Sequence, residues 1–191
     1  DYLSISFDRR NLDSNISFDF FYNYIVDMIG IVSAVDDLGE EVLQYDNYKN
    51  VTFKGFNFHY EKMFNGKDRL KFFYNYTLPE SSSNSALELI SKNSLRLQYD
   101  KFLSEKIKIV SSIKYLSAKD VFIGDSMLAL DEYIMSEIVG IFNFTESVSV
   151  KIGCKNLFNY KDDRRFSGVN EDILTSYDPG RRFFIGFNFN Y

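Results

Sequence analysis

The chain has 191 residues, of which 18% are aromatic (20 Phe, 14 Tyr, no Trp) and only 2 are Pro, with a formal net charge of −5. This composition favours strands over disorder and lacks the basic footprint of a nucleic-acid binder. With 1 Cys and 1 His, neither a disulfide framework nor a multi-histidine metal site can be built.

Mean hydropathy is −0.23. The longest nearly apolar run, Met28 to Val35, falls far short of the ~18 residues of a spanning helix. A strand barrel is not excluded, because alternation hides its apolar face inside an ordinary average. Asp1 opens the chain with neither Met nor a signal peptide, so a processed product or a piece of something longer is expected.

In chain order, Leu3, Ile5 and Phe7 alternate with Ser4, Ser6 and Asp8, and a turn follows at Arg10 to Ser14. Ile16, Phe18, Phe20, Tyr22 and Tyr24 then alternate with Ser17, Asp19, Phe21 and Asn23, a long strand with one apolar face and one wetter face. Gly30 to Glu41 reads as an acidic loop, with room for a short extended piece. One strand is expected from about Tyr45 to Lys62, placing Phe56, Phe58 and Tyr60 opposite Asn57, His59 and Glu61. Asn65-Gly66 is a tight hairpin signal. Leu70, Phe72, Tyr74 and Tyr76 form the next apolar face, and the serine-rich stretch from Pro79 to Leu89 is a loop.

Leu95, Leu97 and Tyr99 alternate with Arg96, Gln98 and Asp100; Ile107, Ile109, Ile113 and Tyr115 are opposed by Lys106, Lys108, Ser112 and Lys114. A loop is expected near Lys119 to Ser126. Ile138, Phe142 and Phe144 then lie opposite Glu137 and Asn143, and Val148, Val150, Ile152 and Cys154 opposite Ser149, Lys151, Gly153 and Lys155. Cys154 reads as a small lipid-facing residue, since nothing electropositive marks it as a nucleophile. The last nine residues put Phe183, Ile185, Phe187, Phe189 and Tyr191 on one face. Helical spacing would also gather several of these aromatics, but Gly186, Asn188 and Asn190 are poor helix residues.

These are nine strands, joined alternately by short turns (after Arg9, Phe64, Phe102 and Phe144) and longer connections (after Ile29, Leu78, Ala118 and Phe158). Short periplasmic turns alternating with long extracellular loops are the habit of outer-membrane barrels. This orientation puts Tyr191 at the periplasmic side and Asp1 near the outer side. Single-chain bacterial barrels have even strand numbers, and unpaired edges are not tolerated in hydrocarbon. Nine strands therefore imply part of a larger barrel, or a complete barrel of eight or ten.

Asn156-Leu157-Phe158-Asn159 after an alternating strand, then Pro179-Gly180-Arg181 opening a final aromatic strand, resembles the C-terminal end of TonB-dependent outer-membrane receptors. Phe20 to Ile29, Tyr45 to Asn57, Leu70 to Thr77 and Tyr133 to Glu146 fit in the same order, although Asn57 stands where that family commonly has an acidic residue. The resemblance implies an all-β, membrane-spanning, antiparallel up-and-down barrel, of which residues 1–191 are the closing part. The plug domain and the earlier strands would be absent from this chain.

It further implies uptake of a scarce small-molecule ligand (a siderophore, metal chelate or vitamin) across the bacterial outer membrane. The TonB complex would supply energy through the missing plug, the partners being outer-membrane lipid and the rest of the barrel. Phe187, Phe189 and Tyr191 would be the signal read by the barrel-assembly machinery.

No enzymatic constellation, cofactor site or metal site is expected. Asp19, Asn23, Asn57, His59, Glu61, Arg96, Gln98, Asp100, Glu137 and Lys151 would line the lumen and touch ligand or plug; their bland role is to keep that wall wet. His59 by itself reads more simply as one polar wall residue. Asp162, Asp163, Arg164 and Arg165 form a charged outer-loop candidate for ligand capture, against the plainer reading of a solvated loop. A small self-contained pore or structural barrel is the first alternative. The second is a soluble β-sandwich, whose outward aromatics would leave a large exposed apolar patch.

Overall fold

The computed structural model describes residues 1–47, 50–81, 90–123, 126–160 and 180–189. Its backbone is built from thirteen strands: β1 (Tyr2–Arg10), β2 (Ser14–Val26), β3 (Ile29–Val35), β4 (Glu41–Asn47), β5 (Asn50–Phe64), β6 (Asp68–Ser81), β7 (Asn93–Phe102), β8 (Ile107–Leu116), β9 (Lys119–Ile123), β10 (Ser126–Leu130), β11 (Tyr133–Asn143), β12 (Val148–Lys155) and β13 (Arg182–Phe189). Nine of them form one antiparallel meander in the order β1-β2-β5-β6-β7-β8-β11-β12-β13, and β3-β4 and β9-β10 are separate two-stranded sheets.

The expected count of nine wall strands is met, and Pro79–Ser81, expected to open a loop, extend β6 instead, residues 82–89 of that loop lying outside the described residues. Two further connections differ from expectation. Gly30 to Glu41 is not a loop. It contains most of the β3–β4 hairpin, with Ile29 opposite Asn47 and Val35 opposite Glu41. The acidic residues that suggested a loop sit at the hairpin turn, where the Asp36 carboxylate accepts from the Leu38 and Glu40 amides (both 2.9 Å) and Gly39 takes φ +82°. For the same reason the single strand expected from Tyr45 to Lys62 is broken: Tyr45 belongs to β4, and the wall resumes at Asn50. Where a loop was expected near Lys119 to Ser126, β9 (Lys119–Ile123) likewise pairs antiparallel with β10 (Ser126–Leu130). Both sequences carry β-branched and aromatic residues in numbers that a solvated loop does not need.

The short turns behave as predicted. Asn65 and Gly66 both adopt positive φ (49° and 69°), and the Lys67 amide donates to the Phe64 carbonyl at 3.0 Å. A primed turn needs this backbone, which Asn-Gly provides at little cost.

The sheet is one layer thick. Among the described apolar side chains only Val51, Tyr133 and Cys154 are buried, whereas Ile5 is 66% exposed, Phe20 54% and Phe187 63%. Among the described residues no second layer interlocks with these rings. They pack sideways along the sheet: Phe18 against Phe58 (4.5 Å between centroids), Phe58 against Phe72 (5.7 Å), and Phe56 against Tyr74 (5.6 Å). Such cross-strand aromatic pairs contribute roughly 0.2–1 kcal/mol each, too little to make so open an apolar face stable in water.

The distribution of charge on that face supports the same conclusion. The register leaves only Arg9, Lys54, Lys62, Asp68, Glu80 and Lys101 on the apolar side of the nine strands, all toward strand ends. Lys54 and Lys62 bracket Phe56, Phe58 and Tyr60 on β5, and Asp68 and Glu80 bracket Leu70 to Leu78 on β6. At ~3.3 Å per residue these intervals are about 26 and 40 Å along the strand, or about 20 and 30 Å in height for strands tilted roughly 40°. They bracket the ~25 Å apolar band of an outer-membrane barrel.

Four of these six marginal charges pair with one another. Lys54 pairs with Glu80 at 2.6 Å. Asp68, which is 4% exposed, accepts from Lys101 Nζ (2.6 Å), the Phe102 amide (2.9 Å) and the Tyr99 hydroxyl (3.5 Å). Cys154 lies on the apolar face as expected but is not itself open to lipid. Its neighbours cover it to 4%, with Sγ 3.7 Å from the Lys155 carbonyl.

Candidate functional site: the polar wall

Alternation in each strand, fixed by the register, brings the ten wall candidates to one face. Asp19 is opposite Asn57, and Asn57 opposite Asn75. His59 faces Phe73, which faces Arg96; Glu61 faces Lys71, which faces Gln98. Gln98 is opposite Ser112, which is opposite Glu137, and Lys151 pairs with Ile141 two positions along from the Gly153–Val139 pair. Asn23 and Asp100 share this face, opposite Phe53 and Val110.

Within the wall the structure connects some of these residues and leaves others apart. Asn75 Nδ2 donates to Asn57 Oδ1 at 2.7 Å, and Thr77 donates to Asn75 at 3.1 Å. A polar ladder runs down β7 and across to β8. Arg96 donates to Gln98 (3.1 Å), Gln98 to Asp100 (2.8 Å), and Lys108 forms an ion pair with Asp100 at 2.9 Å. The two steps along β7 use residues at i and i+2, the spacing that shares a strand face, and the ion pair crosses to β8.

His59 stacks flat on Phe73, with ring centroids 4.4 Å apart and an interplanar angle of 5°, and its Nε2 is enclosed with no hydrogen-bond partner among the described residues. The two rings floor a groove of about 390 Å³ whose rim carries Asp19, Asn57, Asn75 and Arg96. The arrangement can stack a planar group and offer it a carboxylate, two amides and a guanidinium. Among the described residues no group of three His, Cys, Asp or Glu side chains is placed to hold a metal ion.

Two aromatic side chains on the polar side lie over glycines of the neighbouring strand. A Cβ at Gly55 would meet Phe21 Cζ at 3.0 Å and land on the Tyr76 carbonyl oxygen; at Gly153 it would meet Phe184 Cζ at 2.6 Å. The missing side chains let the wall take rings flat against its backbone, a packing that pins register in curved sheets.

Where β12 ends beside the start of β11, the motif residues form a knot. Asn156 (4% exposed, φ 52°) donates from Nδ2 to the Tyr160 carbonyl at 2.8 Å and accepts the Tyr160 amide at 2.9 Å. The Leu157 and Phe158 amides reach the Ser136 carbonyl (3.1 Å) and Oγ (3.3 Å). Asn159, also left-handed at φ 53°, accepts the Arg181 amide at 2.9 Å, and Gly180 leads into β13 with φ 67°. Asn156 to Asn159 and Gly180-Arg181 therefore tie three strand ends together.

Phe187 and Phe189 lie on the apolar face of β13, opposite Val150 and Val148. Tyr191, Pro179 and the loop candidates Asp162, Asp163, Arg164 and Arg165 lie outside the described residues.

Sequence reasoning did not single out the full cationic content of the wall. Arg69, Lys71, Lys108, Lys114, Lys155 and Arg182 all share the face of Arg96 and Lys151. Alternation already puts Lys108, Lys114 and Lys155 opposite the apolar face without marking them as wall candidates, and the register adds Arg69, Lys71 and Arg182.

No protein-family model and no curated protein matches the sequence. Among solved structures the chain is similar over 100% of its length to the siderophore receptor PirA from Acinetobacter baumannii (TM-score 0.74, 15% identity) and to a variant of the ferric enterobactin receptor PfeA from Pseudomonas aeruginosa (0.76, 13%). It is similar in the same way to the copper transporter OprC (0.78, 15%). The chain spans 31% of the length of each of these proteins. With its single-layer meander, charge-free aromatic band and polar wall, the chain has the fold of a nine-stranded portion of a TonB-dependent receptor barrel.

Proposed function

We propose that this chain is the closing portion of the barrel of an outer-membrane active-transport receptor, which takes up a scarce ligand such as a siderophore, metal chelate or vitamin. Plug and remaining strands are supplied by sequence outside these 191 residues. The barrel's share of the work is to anchor in outer-membrane lipid, present outer loops for capture and wall the transport path with polar groups. Energy comes through the TonB complex acting on the plug, and the final aromatic strand is the part read by the barrel-assembly machinery. PirA and PfeA are named for siderophore or ferric enterobactin reception and OprC for copper transport, which supports the ligand class.

The observation that carries this reading is the open, one-layer, nine-stranded sheet, matched along its whole length to about a third of such receptors. The test begins with the reading frame upstream of the codon for Asp1, which is expected to encode a plug and further strands. Deleting the whole gene should then abolish growth on the cognate iron or metal complex when that metal is scarce, as should deleting the energy-coupling partner. An upstream stop codon and signal peptide, with no plug-coding region, would instead point to a small self-contained barrel.

A further inference from the structure

A recess of about 180 Å³ opens on the apolar side of the sheet, where β7, β8 and β11 run side by side. Two serines make it. Ser111 stands on the apolar face of β8, opposite Tyr99 and Ile138; Ser136 stands on that of β11, opposite Ile113, which in turn faces Leu97. The other apolar-side positions of β8 carry Ile107, Ile109, Ile113 and Tyr115. Ser111 is therefore a gap in an otherwise filled row.

The motif turn closes one side. Leu157 and Phe158 line the recess, and their side chains are separate from the hydrogen bonds of the knot. Those bonds are made by the side chains of Asn156 and Asn159 and by the backbone amides of Leu157 and Phe158. The two apolar side chains are left over, and Phe158 is 63% exposed. Ser136 is buried, its Oγ accepting the Phe158 amide at 3.3 Å, whereas Ser111 takes no part in the knot. Ser112 and Glu137 also border the recess but belong by alternation to the polar face.

We propose that this recess is a lipid site, which seats one acyl chain of a membrane lipid over Ser111 and against Phe158. This rests on the receptor reading above, which puts hydrocarbon on that face. None of the six marginal charges borders the recess, so it lies within the charge-free band. Water does not suit it. A bound water needs about 2–4 polar partners, and the apolar side offers two serine hydroxyls, one already bonded to the Phe158 amide. Left empty, the recess would cost its walls their dispersion contacts. In lipid, close packing of this kind, and not the hydrophobic effect, favours one partner over another. A second protein fits poorly. Three adjacent strands are about 10 Å across and two residues along a strand about 7 Å. Even with the turn added, the footprint is roughly 100 Å², against the ~800 Å² per partner of a stable protein interface. The motif turn then does two things: its asparagines tie strand ends together, and its Leu and Phe close a lipid seat.

The test uses the full-length receptor, delipidated in detergent and titrated with dipalmitoylphosphatidylethanolamine, with bound lipids counted by native mass spectrometry. Ser111→Leu fills the recess, and Ser111→Ala removes the hydroxyl but leaves the space. Phe158→Ala opens one wall without touching an amide of the knot. Each variant is first shown to keep the heat-modifiable folded band. Wild type and Ser111→Ala should bind one lipid roughly tenfold more tightly than Ser111→Leu, and Phe158→Ala should bind it roughly threefold more weakly than wild type.

Equal affinity in wild type and Ser111→Leu overturns the proposal; if Ser111→Leu does not fold, equal affinity in wild type and Phe158→Ala does so. A receptor dimer that Ser111→Leu splits would give the recess to a second copy and also overturns it. A full-length product that stays soluble and monomeric without detergent would overturn the receptor reading itself, a failure separate from this one.

Discussion

Replacing Asn156 separates two contributions that the structure combines in one residue. Its side chain makes two hydrogen bonds to Tyr160, at 2.8 and 2.9 Å, and its backbone is left-handed at φ 52°. Asn156→Gly keeps the backbone at no steric cost and removes both bonds, a loss of about 1–3 kcal/mol at 0.5–1.5 kcal/mol per bond. Asn156→Ala removes the same bonds and adds about 1 kcal/mol for a Cβ in the left-handed region, so about 2–4 kcal/mol is expected. Amide exchange of the peptide spanning 156–160 in the assembled receptor reads these values as roughly 5- to 150-fold faster exchange for Gly, and about fivefold more again for Ala. Equal rates in the two variants, or rates near wild type in both, would refute the account of this knot.

Other substitutions test the faces and the close approaches. Phe58→Arg puts a charge in the middle of the apolar band and should cost about 2–4 kcal/mol in urea unfolding from lipid. Asn57→Arg, one residue away on the polar face, should cost about 0.5–1.5 kcal/mol for the lost bond to Asn75; the reverse order would contradict the assignment of faces. Glycines should form a graded series. Gly55→Ala, whose Cβ would land on the Tyr76 carbonyl oxygen, should prevent assembly of the heat-modifiable band. Gly66→Ala, in open space but at φ 69°, should cost about 1 kcal/mol, and Gly186→Ala should stay within about 0.5 kcal/mol of wild type. Asp68→Ala orphans the Phe102 amide and should cost about 1–3 kcal/mol, whereas Asp68→Asn, which keeps an acceptor for that amide, should lose less than half as much. Equal losses in Ala and Asn would show that the amide bond contributes little.

Much of the wall was legible because a strand in lipid alternates strictly. Phe56, Phe58 and Tyr60 can face hydrocarbon only if Asn57, His59 and Glu61 face the other way, and the register agrees. The β3–β4 and β9–β10 hairpins were harder to read. Asp36, Asp37, Glu40 and Glu41 resemble a solvated loop, and nothing local says that Ile29–Val35 will pair with Glu41–Asn47 instead of joining the wall. Side-chain contacts within a face were also hidden. The stacking of His59 on Phe73 and the Asp100–Lys108 pair cross strands, so they depend on register, which sequence pattern constrains only modulo two. The knot at Asn156 was recognisable as a motif, but its two bonds to Tyr160 follow from a left-handed backbone that spacing does not reveal.

The account stands on hydrocarbon bathing one side of the sheet and water the other. The described chain contains no Trp, so single Trp residues introduced in turn at positions 56 to 61 of the reconstituted receptor report on their surroundings directly, with any Trp elsewhere in the full-length protein replaced. Quenching by brominated lipid chains should be strong at 56, 58 and 60 and weak at 57, 59 and 61, with the opposite pattern for a water-soluble quencher. Uniform quenching along the strand, or the same alternation with the two quenchers exchanged, would contradict it.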